Sequence, residues 1–152
     1  MTLDARIPPP AIAIAAALII WGIAHWAPQM AIPGPIRLAT ALVLVALGVA
    51  CSVAGVIAFR RAHTTVNPTT PDAASSLVRT GIYRFTRNPM YLGLLLILCG
   101  WAIFLSSLWG LLGAGAFVLY LNAFQIAPEE RALARIFGST FAAYTASVRR
   151  WL

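Results

Sequence analysis

A short segment in the second half of the chain concentrates side chains that bind anions. Within nine residues it holds two tyrosines, two arginines and an asparagine: Tyr83, Arg84, Arg87, Asn88 and Tyr91. Arginine binds carboxylates and phosphates through a planar fork of N–H donors. Pro89 moves the preceding residue out of the helical region and suits the start of a helix. The segment therefore predicts either a site for an anionic group or a belt of arginines that contacts lipid headgroups.

Two adjacent glutamates form the second feature that can do chemistry. Glu129 and Glu130 open a segment with helical periodicity, and with Leu133 at the centre of its apolar face both fall on the apolar side. They can simply cap the positive end of the helix. Alternatively they face a polar cavity, because acids at a membrane boundary are unfavourable unless they are paired. Arg84 and Arg87 are the candidate partners.

The composition places both features in a membrane protein. Of the 152 residues, 61% are hydrophobic and 10% are charged, against about 25% charged in soluble domains. This excludes a soluble globule and a disordered chain. All 11 basic residues are arginines and the net charge is +7, which the positive-inside rule explains without a nucleic-acid partner. Cys51 and Cys99 lie in separate apolar runs, so we expect neither a disulfide framework nor a metal site.

Hydropathy predicts an all-α integral membrane protein with a single domain and four spans. The predicted spans are residues 10–27, 36–59, 89–105 and 108–127. The last two must form a tight hairpin, because together they are about twice a bilayer crossing. A cytoplasmic loop, 60–88, and an amphipathic cytoplasmic helix, 128–149, complete the prediction. Ten of the 11 arginines fall on one side, which predicts cytoplasmic termini in a bacterial-type inner membrane. The first span has neither the basic start nor the cleavage site of a signal peptide.

Two motifs in this order resemble a known enzyme family. They are residues 77–93 and the run Pro128-Glu129-Glu130-Arg131-x-Leu133 with Phe137-Gly138, followed by the ending Tyr144 and Val148-Arg149-Arg150-Trp151. The chain is similar here to the isoprenylcysteine carboxyl methyltransferases and the related phospholipid methyltransferases. These are small integral-membrane enzymes that use S-adenosylmethionine. The resemblance extends from roughly residue 59 to the end of the sequence, and it is specific because both motifs flank a helical hairpin.

The resemblance implies that the two motifs close over the cofactor at the cytoplasmic edge. The implied cofactor-binding residues are Leu77, Val78 and Tyr83 in the pocket, Arg87, Asn88, Pro89 and Tyr91 in its membrane-side wall, and Glu129. Arg87 is implied to be the residue most needed for activity. Gln125, with Asn122, can bond between helices or line this wall. Many eukaryotic members have arginine at the place of Gln125 and histidine at the places of Asn88 and Ser75, so we do not assume their substrate, a prenylated protein C-terminus.

The chemistry of the residues agrees with this implication. A carboxylate such as Glu129 can bind the ammonium or the ribose hydroxyls of S-adenosylmethionine. Arginine can bind the cofactor carboxylate, and tyrosine can contact the adenine or the sulfonium. Methyl transfer demands alignment and exclusion of water, and Glu130 is a candidate base or amine-orienting group. A lipid amine, a lipophilic carboxylate or a small hydrophobic thiol fits an acceptor site that opens toward the bilayer lipids.

Two other functions stay open from the sequence. Membrane sterol reductases resemble this family in their C-terminal part, so the same loop can bind a nicotinamide cofactor, although no dinucleotide glycine fingerprint is present. A non-catalytic membrane module, in contrast, uses its arginines to bind anionic lipid and its glutamates to pair with them. Substitution of Glu129 separates an enzyme from such a module, since an enzyme loses cofactor binding and a structural pair loses stability.

Overall fold

The computed structural model describes residues 7–62 and 76–152, and this part of the chain is helical without strands. The helices are α1 (Pro9–Trp26), α2 (Gly34–Arg61), α3 (Pro89–Phe104), α4 (Leu111–Leu121) and α5 (Ala127–Ser147), with a 3₁₀ turn at Gly81–Arg84 and a π turn at Asn122–Ile126. The all-α prediction is confirmed. Ser75 and much of the predicted loop 60–88 lie outside the described residues.

Three of the described helices are long and apolar enough to cross a membrane. They are α1, α2 and the continuous helical stretch 111–147. The third predicted span, 89–105, corresponds to α3, which has 16 residues and is about 24 Å long, short of a hydrocarbon core of about 30 Å. Large apolar side chains such as Leu18, Leu42 and Val49 are exposed, as lipid contact requires. A turn containing Ser106 and Ser107 joins α3 to α4, where the sequence predicts a hairpin.

Close packing between α2 and α3 places the start of α3. At their crossing, a Cβ atom built on Gly93 would collide with the Ser52 hydroxyl and the Gly48 carbonyl oxygen, and one on Gly48 would lie 2.5 Å from the Gly93 carbonyl oxygen. Only residues without side chains allow two helix backbones to approach so closely. Because α3 begins at Pro89, this contact fixes the position of the arginine–asparagine segment that precedes it.

We expect Gly93→Ala to lower the free energy of unfolding by about 2 kcal/mol, because overpacked sites typically lose 1–3 kcal/mol and a backbone oxygen cannot rotate away. Thermal unfolding in detergent measures the change. Gly115→Ala is the matched control, since a Cβ atom there meets nothing within 4 Å. Its melting temperature should equal or slightly exceed that of the wild type. Equal losses in both variants would contradict the packing argument.

The fourth apolar segment continues into α5 without a break. The sequence predicts that a helix begins at Pro128, and α5 begins one residue earlier, at Ala127, so Pro128 lies in its first turn, directly after the π turn. Proline has no N–H and its ring crowds the carbonyl four residues earlier. A π turn, which adds one residue to a helical turn, accommodates that crowding. The predicted start of this helix is therefore confirmed to within one residue, and the widened turn, which the sequence does not predict, sets the helical phase of the glutamates.

The second half of α5 is redirected at Gly138. This residue has φ 49° and ψ −123°, a conformation that is nearly exclusive to glycine. After the kink, the Tyr144 hydroxyl donates a 2.7 Å hydrogen bond to the Tyr83 carbonyl oxygen, so α5 packs on the 3₁₀ turn. The helix ends at Ser147 and Val148 is extended. The prediction that the helix runs to residue 149 is wrong, and residues 148–151 instead form a non-helical segment, here called the strap.

Candidate functional site

A half-buried carboxyl group, that of Glu129, lies where α3, the π turn and α5 meet. Glu129 Oε1 accepts hydrogen bonds from the Tyr91 hydroxyl at 2.5 Å and from the Gln125 side-chain nitrogen at 2.7 Å. Tyr91 and Gln125 are both buried, at 6% and 1% exposure. Both bonds reach the same oxygen, so neither of them occupies Oε2. The π turn places Gln125 one turn before Glu129, on the same inner face of the helix.

The surroundings of Glu129 raise its affinity for a proton. Glu129 lies in the first turn of α5, beyond the apolar residues of the fourth span. Burial raises the pKa of its carboxyl to about 7, and the neighbouring charge of Glu130 acts in the same direction. The hydrogen bonds from Tyr91 and Gln125 lower the pKa and offset part of this rise. Near neutral pH the group is therefore divided between its neutral form and an anion whose hydrogen-bond partners among the described residues, Tyr91 and Gln125, are uncharged.

A second, charged cluster surrounds the neighbouring glutamate. Glu130 Oε1 lies 3.2 Å from Arg87 Nη2 and accepts a 3.1 Å bond from Arg150 Nε, while Oε2 accepts a 2.5 Å bond from Arg150 Nη2. Arg150 therefore binds the carboxylate with two parallel donors, the strongest geometry for this pair. Arg87 holds the same carboxylate from the other motif. This contact joins the two motifs, as the sequence predicts for Arg87, whereas Arg84 is exposed.

One donor of Arg87 is buried without a partner. The Arg87 side chain is 15% exposed, and its Nε atom is buried and has no hydrogen-bond partner among the described residues. An unsatisfied buried donor is unfavourable by about 1–3 kcal/mol, and more when it is charged. Such a donor in a native protein is typical of a position that a ligand or water completes.

The strap lies along the segment that precedes α3. Asn88 Nδ2 donates to the Arg150 carbonyl oxygen at 2.9 Å, and the buried Thr86 hydroxyl donates to the same oxygen at 3.4 Å. The main-chain N–H of Arg87 donates to the Arg149 carbonyl oxygen at 3.0 Å. Asn88 thus orients the strap, and Pro89 is buried at the start of α3. These main-chain contacts hold the backbone of Arg87 in place.

Tyr83 and Val78, two of the predicted site residues, lie in a small hydrophobic cluster at the end of α2. Tyr83 is buried and its ring meets the edge of Phe59 at 5.3 Å between centroids. Val78 packs in the same cluster, and Leu77 is half-buried next to it. Burial raises the pKa of the Tyr83 hydroxyl, and the charge of Glu129 contributes to the rise.

The structure brings the predicted site residues into two adjoining groups, although their roles as cofactor ligands stay predictions. Tyr91, Gln125 and Glu129 form the first group, and Arg87 with Glu130 forms the second. The sequence did not indicate Thr86 or the contact of the Arg150 side chain with Glu130. The reason is that the predicted helix ran to residue 149, past the observed end of α5 at Ser147. A short arginine pair after a serine that ends the helix is the only signal the sequence offers for this contact.

Comparison with known proteins identifies the family of this chain. An uncharacterized protein of Haemophilus influenzae is 48% identical over 63 residues, which are 41% of this chain and the whole of that protein. No solved structure matches. The family model described as phospholipid methyltransferase matches residues 36–140, which contain both motifs. The match confirms the resemblance found in the sequence. The chain belongs to the phospholipid methyltransferase family, and this membership indicates methyltransferase activity in a membrane.

Proposed function

We propose that this chain transfers a methyl group from S-adenosylmethionine to a lipophilic acceptor at the cytoplasmic face of a bacterial inner membrane. The observation that carries the proposal is a site with two opposite poles where the two family motifs meet. A half-buried carboxyl, Glu129, lies next in sequence to a carboxylate that holds Arg87, whose buried Nε has no partner among the described residues. A ligand that bears a cation and an anion a few bonds apart satisfies both poles.

The amino-acid part of S-adenosylmethionine has this distribution of charge. Glu129 suits its ammonium or the ribose hydroxyls, and Arg87 suits its carboxylate. Tyr83 and Tyr91 offer aromatic faces to the adenine or the sulfonium. When bound, the cofactor supplies a methyl group whose S–C bond breaks with its electrons on sulfur as an acceptor lone pair forms the new bond, giving S-adenosylhomocysteine and, from an amine or a thiol, a proton.

The role of the protein is to align the reactants and exclude water. The apolar outer faces of α1 and α2 favour an acceptor that arrives through the lipid, whether a carboxylate, an amine or a thiol. Glu130 is ion-paired with Arg87 and accepts hydrogen bonds from Arg150, so both of its carboxylate oxygens already have cationic partners. This pairing favours a positioning role for Glu130 over the role of base.

Titration of S-adenosylmethionine into the detergent-purified wild type tests the proposal. Saturable binding, together with formation of S-adenosylhomocysteine when lipid amines, lipophilic acids or hydrophobic thiols are added, is the expected result. Two parallel titrations cover the other functions considered. Binding of NADPH instead would indicate a reductase, and binding of anionic vesicles alone would indicate a lipid-binding module. Either outcome without cofactor binding would overturn the proposal.

Cofactor affinity should rise with pH between about 5.5 and 7.5. Because the pKa of Glu129 is raised to about 7, the anion that binds the ammonium is lost as the pH falls below that value. The dissociation constant then increases up to about tenfold per pH unit. The range stays below the pKa of the cofactor amine, about 8. Calorimetric titration at each pH measures the dissociation constant. Methylthioadenosine, which lacks the amino-acid part, should bind independently of pH; a parallel dependence would instead assign Glu129 to the ribose.

A further inference from the structure

The strap brings a positive charge to the site from outside the region that the family model matches. Residues 148–151 follow the matched residues 36–140. From this segment Arg150 donates to both oxygens of Glu130. Nothing in the proposed binding of the cofactor uses Arg150 directly. Its contacts are made to the carboxylate that also holds Arg87.

The charges in this cluster explain why a second arginine is useful. Glu130 with Arg87 alone would form a neutral pair, and its carboxylate would compete with any anionic ligand for the Arg87 guanidinium. With Arg150 bound to both carboxylate oxygens, the three side chains carry one net positive charge. The buried Nε of Arg87, which has no hydrogen-bond partner in the described part of the chain, then belongs to a guanidinium whose charge is not fully neutralised by Glu130.

We propose that Arg150 is a positioning residue that neutralises Glu130, so that Arg87 is available to bind the carboxylate of S-adenosylmethionine. The inference rests on the proposed function. It adds Arg150 to the residues that make the site specific for the amino-acid part of the cofactor. It also explains the bidentate geometry, which fixes the Glu130 carboxylate in one orientation beside Arg87.

The strap is held in place independently of the Arg150 side chain. The carbonyl oxygens of Arg149 and Arg150 accept bonds from the Thr86–Asn88 segment. Trp151 Nε1 donates to Asn122 Oδ1 at 3.1 Å, and the Trp151 ring packs against the main hydrophobic core. Truncation of the Arg150 side chain therefore leaves the anchors of the strap intact and removes mainly its charge.

Two probes separate the charge effect from a structural one. Decarboxylated S-adenosylmethionine keeps the ammonium, the sulfonium and the adenosine and lacks only the carboxylate. We expect Arg150→Ala to weaken binding of S-adenosylmethionine about fivefold, a modest loss because Arg150 is 37% exposed, and to leave binding of the decarboxylated probe unchanged. Arg150→Lys, which retains the charge, should recover most of the affinity. Arg149→Ala, which removes the exposed neighbouring arginine of the strap, should match the wild type.

The outcomes distinguish this inference from the proposed function. Equal weakening of both probes, or the same loss in Arg149→Ala, would assign Arg150 a structural or general electrostatic role and overturn the inference. In a Glu130→Gln background, Arg150→Ala should have no further effect, because no carboxylate remains to be neutralised; a persistent loss would also overturn it. Arg150→Gln serves as the neutral variant if the alanine variant does not fold. A wild type that binds neither probe defeats the proposed function itself.

Discussion

Replacing Glu129 with glutamine should abolish measurable binding of S-adenosylmethionine, a loss of at least about 100-fold, while the protein stays folded. A charge-assisted bond in a buried site contributes about 3 kcal/mol, or about two orders of magnitude in affinity. Glutamine has the same shape and keeps an oxygen that accepts the bonds from Tyr91 and Gln125. The negative charge is lost, and the other carboxylate oxygen is replaced by an amide NH2 group, which cannot accept a bond from the ammonium. Calorimetric titration at about pH 7.5, where most of the wild-type carboxyl is ionised and most of the cofactor amine is protonated, measures the effect.

The stability of the same variant provides the decisive control. Because the pKa of Glu129 is higher in the folded protein than its ordinary value, the ionised form opposes folding at pH above about 7. Glutamine removes this penalty, so at pH 8 the melting temperature should equal or exceed that of the wild type. Glu129→Asp, which keeps the charge on a shorter side chain, should retain weak binding. A lower melting temperature with unchanged binding would show that Glu129 is a structural residue.

The helices could be predicted from the sequence because apolar runs and proline positions are local signals. The hairpin at Ser106 and Ser107 and the start of α3 at Pro89 follow from such signals. The contact between the two motifs could be predicted in general terms, since an acid on an apolar helix face needs a partner. Arg87 does pair with a glutamate. The choice between Glu129 and Glu130 depends on helical phase, which the π turn shifts by one residue.

The strap could not be predicted for a different physical reason. Helical periodicity continues through Gly138 and beyond Ser147, so the sequence shows one amphipathic helix with Arg149 on its polar face. The left-handed conformation of Gly138 and the extended Val148 are set by packing against the 3₁₀ turn, which is distant in sequence. Local propensity gives no sign of such tertiary constraints. The contact between Arg150 and Glu130 therefore appears only in three dimensions.

Arg87→Ala is expected to weaken S-adenosylmethionine binding about 100-fold, the loss typical of a desolvated charged contact. The fold should survive, because Glu130 keeps both bonds to Arg150 and is not left as an unpaired charge. Arg87→Lys should recover only part of the affinity, since an ammonium lacks the planar fork that matches a carboxylate. Arg84→Ala, which removes an exposed arginine from the same segment, should bind as the wild type does.

The specificity of this loss decides what Arg87 binds. If its guanidinium holds the cofactor carboxylate, the wild type binds decarboxylated S-adenosylmethionine more weakly than S-adenosylmethionine, and Arg87→Ala reduces this difference to near zero. Glu129→Gln, in contrast, weakens both probes because both carry the ammonium. If Arg87→Ala removes the difference between the probes and Glu129→Gln weakens the binding of both, the anion of the ligand binds at Arg87 and its cation binds at Glu129. If Arg87→Ala instead weakens both probes equally, Arg87 shapes the site through Glu130 and the strap, and the assignment of the carboxylate to Arg87 is wrong.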